Sequence, residues 1–465
     1  MVDSARERTR GYVLFVATLA AFLTPFTGSS VNVAIPAIGR ELGLHATALS
    51  WVVTAYILAA SALLLPFGRM ADLYGRRKIF MAGIAIFTLS SLLSALTASA
   101  AILICGRALQ GVGSAMIFST GLAILTGVYE EGERGRVVGI NTAAVYAGLS
   151  FGPAVGGALT HYASWRSIFG LNAALGIVAL MATLRLRGEW RDNAGQRFDL
   201  AGALLYTPGT AALMYGIASA KTASYAAWIV MIGVALLAAF IWRERKARDP
   251  LLEFRLFRNG VFTFSSLAAL IHYCATFAIG YLLSLYLQEL KGLDPRQAGL
   301  VLLSQPALMT FVTLIAGRLS DRYEPRILAS AGMGLTFLGI ALLMPVDAST
   351  SVTYISVCLI VLGIGFGLFS SPNTNAIMSS VPKAHYGVAS AALSSMRLLG
   401  QALSMSLVTF MFARHLEGRP ATAAHASELL QGMHASLRCF APLCLLAVLA
   451  SLFRGRLHSK RSAPS

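Results

Sequence analysis

The sequence predicts an all-α polytopic membrane protein: two six-helix bundles with a two-helix insert between them, about 14 transmembrane helices in all. Three observations lead there. Of the 465 residues 56% are hydrophobic and only 12% charged, about half the charged fraction of a soluble domain, so lipid is the solvent for most side chains. The apolar residues come in runs of about 20, each able to cross roughly 30 Å of hydrocarbon. And one charged stretch between two such runs, Gly68-Arg69-Met70-Ala71-Asp72-Leu73-Tyr74-Gly75-Arg76-Arg77-Lys78, returns as Gly317-Arg318-Leu319-Ser320-Asp321-Arg322-Tyr323-Glu324-Pro325-Arg326, with glycine four residues before aspartate both times. A loop repeated at matching places marks a repeated bundle.

The elements follow in order. Span 1, at 12–36, comes after Arg6, Arg8 and Arg10. That basic start resembles a signal peptide, but the run is too long, holds Pro25 and Asn32 and lacks a small-residue cleavage site, so it is expected to be retained. Spans 2 and 3, at 47–67 and 79–98, flank the first charged loop, and span 4 is placed at 102–127. Spans 5 and 6 follow at 135–159 and 165–184. Spans 7 and 8, at 200–219 and 224–242, are bracketed by the arginine-rich segments Arg185–Arg197 and Arg243–Arg258. The last six are expected at 261–287, 297–317, 327–345, 352–371, 386–412 and 437–454. From Gly68 to Gly317 is about 250 residues, whereas a plain six-plus-six chain would need about 200 at roughly 33 residues per span and loop. The surplus is one helix pair, so spans 7 and 8 are the insert. The expected divisions are an N-terminal bundle at 1–184, a linker with the insert at 185–260 and a C-terminal bundle at 261–465.

Charge fixes the expected orientation. The formal net charge of +17 would suggest nucleic acid in a soluble chain, but here the basic residues sit in short loops between spans. With both termini cytoplasmic, about 27 of the 37 Lys and Arg fall on the cytoplasmic side. One miscounted span would swap every later loop, so the even count is well supported. The expected location is the inner (cytoplasmic) membrane, with the Lys221 and Arg414–Arg419 loops outside.

Enzymes find little support. The cysteines, Cys105, Cys274, Cys358, Cys439 and Cys444, all lie in apolar runs without metal-ligand spacing, and the 8 histidines form no HExxH pattern. No metal, cofactor or nucleic-acid partner is expected. No catalytic pair sits at membrane depth and no soluble domain exceeds the short loops, which leaves a membrane sensor or intramembrane enzyme little to work with. The duplicated bundles point instead to a transporter whose halves rock against each other.

Two spans carry denser signals. Span 4 opens Cys105-Gly106-Arg107-Ala108-Leu109-Gln110-Gly111-Val112-Gly113. An arginine this deep is costly and marks a functional site by default, with snorkelling to the surface as the plain alternative. Span 5 carries Gly148-Leu149-Ser150-Phe151-Gly152-Pro153-Ala154-Val155-Gly156-Gly157, a small-xxx-small face for tight packing beside a proline that bends the helix. His272 in span 9 offers a titratable imidazole, or a hydrogen-bonded packing residue.

These motifs resemble the major facilitator superfamily: the Gly68 to Lys78 loop its signature between the second and third spans, Arg107 its fourth-span motif, and Gly148 to Gly157 its antiporter motif. Trp165-Arg166-Ser167-Ile168-Phe169-Gly170-Leu171-Asn172, Phe198-Asp199-Leu200-Ala201-Gly202 and Asp249-Pro250-Leu251-Leu252 resemble its fourteen-span drug:proton antiporter family, as does Gly387-Val388-Ala389-Ser390 leading to Arg397. The likeness covers Gly11 to about Arg454. It implies multidrug-efflux-type export of small amphiphiles by alternating access, protons as a partner, a monomer in the bilayer, a conformational latch of Gly68, Asp72, Gly75, Arg76, Gly317 and Asp321, and a substrate and coupling cavity with Asn32, Arg107, Gln110, His272 and Arg397. It also implies that Arg107 faces the central cavity and that Asp72 faces the start of span 13 near Gly387. One departure matters. Where that family commonly has an acid in span 1, this chain has Thr27 in Thr27-Gly28-Ser29-Ser30-Val31-Asn32-Val33-Ala34-Ile35-Pro36, so coupling assigned to that acid does not transfer. All 20 carboxylates fall in loops, tails or span ends, whereas Arg107 and Arg397 lie well inside spans. An electropositive cavity that prefers neutral or anionic compounds is therefore expected; a uniporter or an exporter of an anionic metabolite is the alternative.

Overall fold

The computed structural model describes residues 2–129, 131–185, 197–221, 224–382 and 386–454. The long apolar runs fold as helices because a segment in hydrocarbon has to satisfy its own backbone N–H and C=O groups. Among the described residues 14 helices are long and apolar enough to span. In chain order, α1 is Arg10–Leu42, α2 Ala46–Tyr74, α3 Arg76–Leu96, α4 Ala100–Val128, α5 Arg136–Tyr162, α6 Arg166–Leu184 and α7 Leu200–Ser219. Then come α8 Ala226–Glu244, α9 Gly260–Leu290, α10 Pro295–Ser320, α11 Pro325–Leu343, α12 Val352–Ser379, α13 Tyr386–His415 and α14 Ala423–Phe453.

The count matches the sequence reading, but α14 was expected at 437–454 and starts well before that. Glu428, His434 and Arg438 make its first turns look too polar for a span. Leu429, Met433 and Leu437 nevertheless recur at helical spacing and are buried, and Glu428 is neutralised by Arg419 at 2.9 Å. Hydropathy alone stopped short because it cannot see that pairing.

The two sets of six helices pack alike. α1 lies on α5 as α9 lies on α13; α2 and α3 lie on α4 as α10 and α11 lie on α12; α3 meets α6 as α11 meets α14. Glycine sets the closest approaches. Between α3 and α4 a Cβ on Gly83 would come 3.0 Å from the Gly113 carbonyl oxygen, and between α11 and α12 a Cβ on Gly332 would come 2.6 Å from that of Gly365. The duplicated loops are thus the visible part of a duplicated packing scheme.

The start of α1, the end of α14 and both charged loops share one side, the terminal side; the opposite one is the far side. α7 and α8 form a hairpin, and α7 packs against α2 and α13 at once, so the insert covers that flank where the bundles meet. α9 is the most irregular helix. It breaks at Phe277–Ala278, where the free Ala278 N–H donates to Ser404 Oγ at 3.1 Å, and it ends in a π turn, Tyr286–Leu290.

Candidate functional site

The far-side halves of the bundles are joined. A buried cluster runs through both, with Ile35, Val53, Tyr281, Tyr286 and Phe412 among its members. Thr409 on α13 donates to Ser50 on α2 at 2.9 Å, and the Ala46 N–H donates to the Arg419 carbonyl at 3.2 Å. The π turn of α9 aims two polar side chains at α1: Gln288 Nε2 donates to the Val33 carbonyl at 2.8 Å, and Glu289 lies 3.5 Å from Arg40. Such turns often mark functional places in a helix. Asn32 faces this seam, since a Cβ on Gly280 would meet its Nδ2 at 3.8 Å.

The expected packing motif on α5 has two faces. Gly152 and Gly156 fit against α1, where a Cβ on Gly156 would come 2.7 Å from Ser30 Cβ, and a Cβ on Gly148 would collide with the Phe22 carbonyl. Gly157 and Pro153 turn the other way. A Cβ on Gly157 would collide with the Pro295 carbonyl, and one on Gly299 with the Pro153 carbonyl. The motif therefore joins α5 to its own bundle and α5 to α10 of the other. Nearer the terminal side the flank is bridged by Ser150 and Thr310 at 3.1 Å, while a Cβ on Gly139 would meet nothing within 4 Å.

Arg107 is not at a cavity surface. It is fully buried inside the first bundle, where Nε donates to the Val52 carbonyl at 2.9 Å, Nη1 donates to Gln110 Oε1 and the guanidinium lies over the Tyr56 ring. Gln110 passes the link to Ser91 Oγ at 2.7 Å. The expected cavity-facing arginine is thus enclosed in this state, with the Tyr56 ring 4.3 Å and the Phe169 ring 6.0 Å from its guanidinium. Thr27, at the acid's place, donates to Asn172 Oδ1 at 2.7 Å, with the Leu23 carbonyl at 2.9 Å as the competing acceptor. A hydroxyl there satisfies its neighbours without a charge.

In the second bundle Arg397 is half-buried. Its Nη2 donates to Thr374 Oγ1 at 2.8 Å, and the guanidinium lies 5.7 Å from the centre of the Tyr273 ring. Tyr146 on α5 meets Ser370 on α12 at 3.3 Å, and the Ser370 carbonyl accepts from Thr374 Oγ1, the partner of Arg397, at 2.8 Å. Four helices from the two bundles thus bring polar groups together here. Among the described residues neither Arg107 nor Arg397 is in an ion pair. His272 is fully buried with neither ring nitrogen bonded, its ring tilted against those of Phe369 at 4.1 Å and Phe366 at 4.9 Å. The ring is packed, but without the hydrogen bond that the packing alternative read from sequence assumed.

In the terminal-side loop Asp72 accepts from Arg76 Nε at 3.0 Å and from Nη2 at 2.8 Å, and Arg76 Nη1 reaches toward the Ala123 carbonyl on α4 at 3.5 Å. Gly75, at φ 120, takes the turn that an L side chain resists. A Cβ on Gly387 would meet nothing within 4 Å, so the start of α13 leaves room around it. Gly68 and Gly317 lie against Ser119 and Ser371 respectively. The Asp321 side chain lies outside the described residues.

Some of the polar structure was not anticipated. Arg454, at the end of α14, is buried; it donates to Asn373 Oδ1 at 3.0 Å and to the Pro325 carbonyl at 2.5 Å, tying α14 to α12 and α11. Asp199 caps α7 by accepting from the Gly202 N–H at 2.9 Å and binds Arg243 of α8 at 2.7 Å. The Phe198-Asp199-Leu200 stretch was visible in sequence, but its partner, 44 residues on, was not.

A family model described as Major Facilitator Superfamily matches residues 17–405. The riboflavin transporter RibZ of Clostridioides difficile (strain 630) is 30% identical over 445 residues, covering 95% of this chain and 96% of that protein. The puromycin resistance protein pur8 of Streptomyces alboniger is 33% identical over 407 residues, covering 86% and 81%. The cephamycin export protein CmcT of Amycolatopsis lactamdurans is 32% identical over 446 residues, covering 92% and 91%. Among solved structures, a bacterial homolog to the human lysosomal transporter Spinster, inward-facing and unoccupied, superposes with a TM-score of 0.67 at 17% identity, covering 98% of this chain and 99% of that one, which speaks for the fold alone.

Proposed function

This chain belongs to the Major Facilitator Superfamily, and from that premise we propose that it exports small neutral or anionic amphiphiles across the inner membrane by alternating access, in exchange for protons. The terminal side is then cytoplasmic, and the sealed far side is the outer one in this state. The observation that carries the substrate class is Arg397, a half-buried guanidinium whose bonded partner is the neutral Thr374, beside Tyr273 and the inter-bundle pair Tyr146 and Ser370. In a low-dielectric site an uncompensated cation attracts an anion or a carbonyl and repels a lipophilic cation. The relatives named for puromycin resistance and for cephamycin export favour export of drug-like compounds.

The test is purified protein in liposomes with an imposed pH gradient and a panel of anionic, neutral and cationic compounds. Gradient-dependent movement of the first two classes is expected. Equal movement of a permanent monocation such as ethidium would refute the substrate class.

A second reading, a carrier that does not use protons, is favoured by Thr27. Its hydroxyl donates to Asn172 where relatives of this type commonly place an acid, so one proton-carrying group is missing. Collapsing the gradient separates the two: the rate falls in the first reading and holds in the second.

A further inference from the structure

The insert is seated on a specific defect of α2. Pro66 lies inside α2 and has no N–H, so the carbonyl four residues before it, that of Ala62, loses its helical donor. Thr207 Oγ1 of α7 donates to that carbonyl at 3.1 Å. One residue earlier on each helix, Tyr206 OH donates to the Ser61 carbonyl at 3.1 Å. In lipid an unanswered carbonyl is expensive and a neighbouring helix is the available donor.

The same Tyr206 begins a run of rings. Its ring lies 5.1 Å from Phe240 on α8, Phe240 lies 6.2 Å from Phe254 in the linker, Phe254 lies 5.6 Å from Phe257, and Phe257 lies 5.1 Å from Phe262 at the start of α9. All spacings suit attractive ring pairs. Leu65 of α2, Leu393 of α13 and Leu252 of the linker are buried in the same cluster. One end of this chain of contacts is bonded to the first bundle and the other is packed into the second, both toward the terminal side.

We infer that the insert and its linker form a strap, keyed to the Ala62 carbonyl that Pro66 leaves free, which holds α2 to the second bundle on the α7 flank. When the terminal side widens, it then widens about this flank, and the α5–α10 flank takes the larger excursion. This rests on the family fold and not on the substrate or the ion that is coupled.

The first test is a double-mutant cycle on the full-length protein in lipid nanodiscs. Thr207→Val, nearly isosteric, removes the donor; Pro66→Ala restores the N–H that would answer Ala62 from within α2. Thr207→Val alone should shift the unfolding equilibrium about threefold, the size of an average interhelical hydrogen bond in a bilayer, with Thr207→Ser restoring it. In the Pro66→Ala background the shift should vanish. Thr313→Val, which removes a hydroxyl bonded within its own helix to Met309, should act independently of Pro66→Ala. Additive effects of positions 66 and 207 overturn the keying.

The second test reads the strap itself. With the five native cysteines replaced, spin labels at Tyr74 and Tyr386 span the α7 flank, and labels at Arg136 and Tyr323 span the α5–α10 flank. The first pair should give the narrower distance distribution, and Tyr206→Phe with Thr207→Val should broaden it. Equal widths in the parent protein, or no broadening in the variant, overturn the strap.

Discussion

The Arg107 guanidinium lies 4.3 Å from the centre of the Tyr56 ring, and both side chains are buried among helices of the first bundle. Tyr56 is in turn held by Ser114 at 2.8 Å and by the Thr24 carbonyl at 3.2 Å. One charged group therefore ties α4 to α2, and through the tyrosine to α1. A cation shielded this way is costly unless its donors are met, and Nη2 is the one left without a partner. Such a group stabilises this arrangement of three helices, and its Nη2 donors are without an acceptor in it.

Arg107→Ala should abolish export and also lower thermal stability, since it leaves Gln110 and the Val52 carbonyl short of a partner. Arg107→Lys keeps the charge but not the planar fork, so its rate should stay down by about tenfold or more, the worth of one charged hydrogen bond. Melting curves and liposome flux measured together check this. Undiminished export of the anionic and neutral compounds in Arg107→Ala would count against the role.

Asp72→Asn should keep expression while cutting transport by about tenfold. Asp72 holds Arg76 in the present state, and by resemblance it faces the start of α13 in the other. There a helix N-terminus favours an anion by about 0.3–1 kcal/mol, and arginines add charge-assisted bonds. Normal flux in this variant would reduce the loop to an orientation signal.

Gly157→Val should break the far-side seal, because the added carbons would collide with the Pro295 carbonyl. Overpacking of this kind costs about 1–3 kcal/mol, enough to favour states open to the far side. In a cysteine-free background a single cysteine at Val33, fully buried in the parent, should then react with an impermeant maleimide. A rate equal to the parent's would show the seal intact.

The clasp of the insert should have an acid limit. Burial pushes the Asp199 carboxyl up, but the Arg243 guanidinium and the Gly202 N–H outweigh it and hold it below its ordinary 3.8. A carboxylate depressed in the folded state contributes stability that is present above its unfolded value and lost as pH falls through the folded one. Melting temperatures measured from pH 6 down to pH 3 should therefore decline less steeply in Asp199→Asn than in the parent. Parallel acid limbs would show that Asp199 contributes nothing.

The spans, the repeated loops and the extra helix pair follow from the sequence because lipid leaves a backbone only one local choice: each run of about 20 apolar residues satisfies itself as a helix. Thr27, Arg107 and Arg397 could likewise be picked out, since a polar residue at membrane depth is rare whatever surrounds it. What those residues touch was decided only in three dimensions. The rotation of each helix about its axis is weakly encoded when lipid-facing and protein-facing sides are both apolar. It is the setting of α4 against α2 that encloses Arg107 behind Tyr56 when the motif alone suggested a cavity wall. The far-side seal joins residues such as Val33 and Gln288, and the insert's seat joins Ala62 to Thr207. In both, the acceptor is a backbone carbonyl, which no side-chain pattern announces, on a helix distant in the chain.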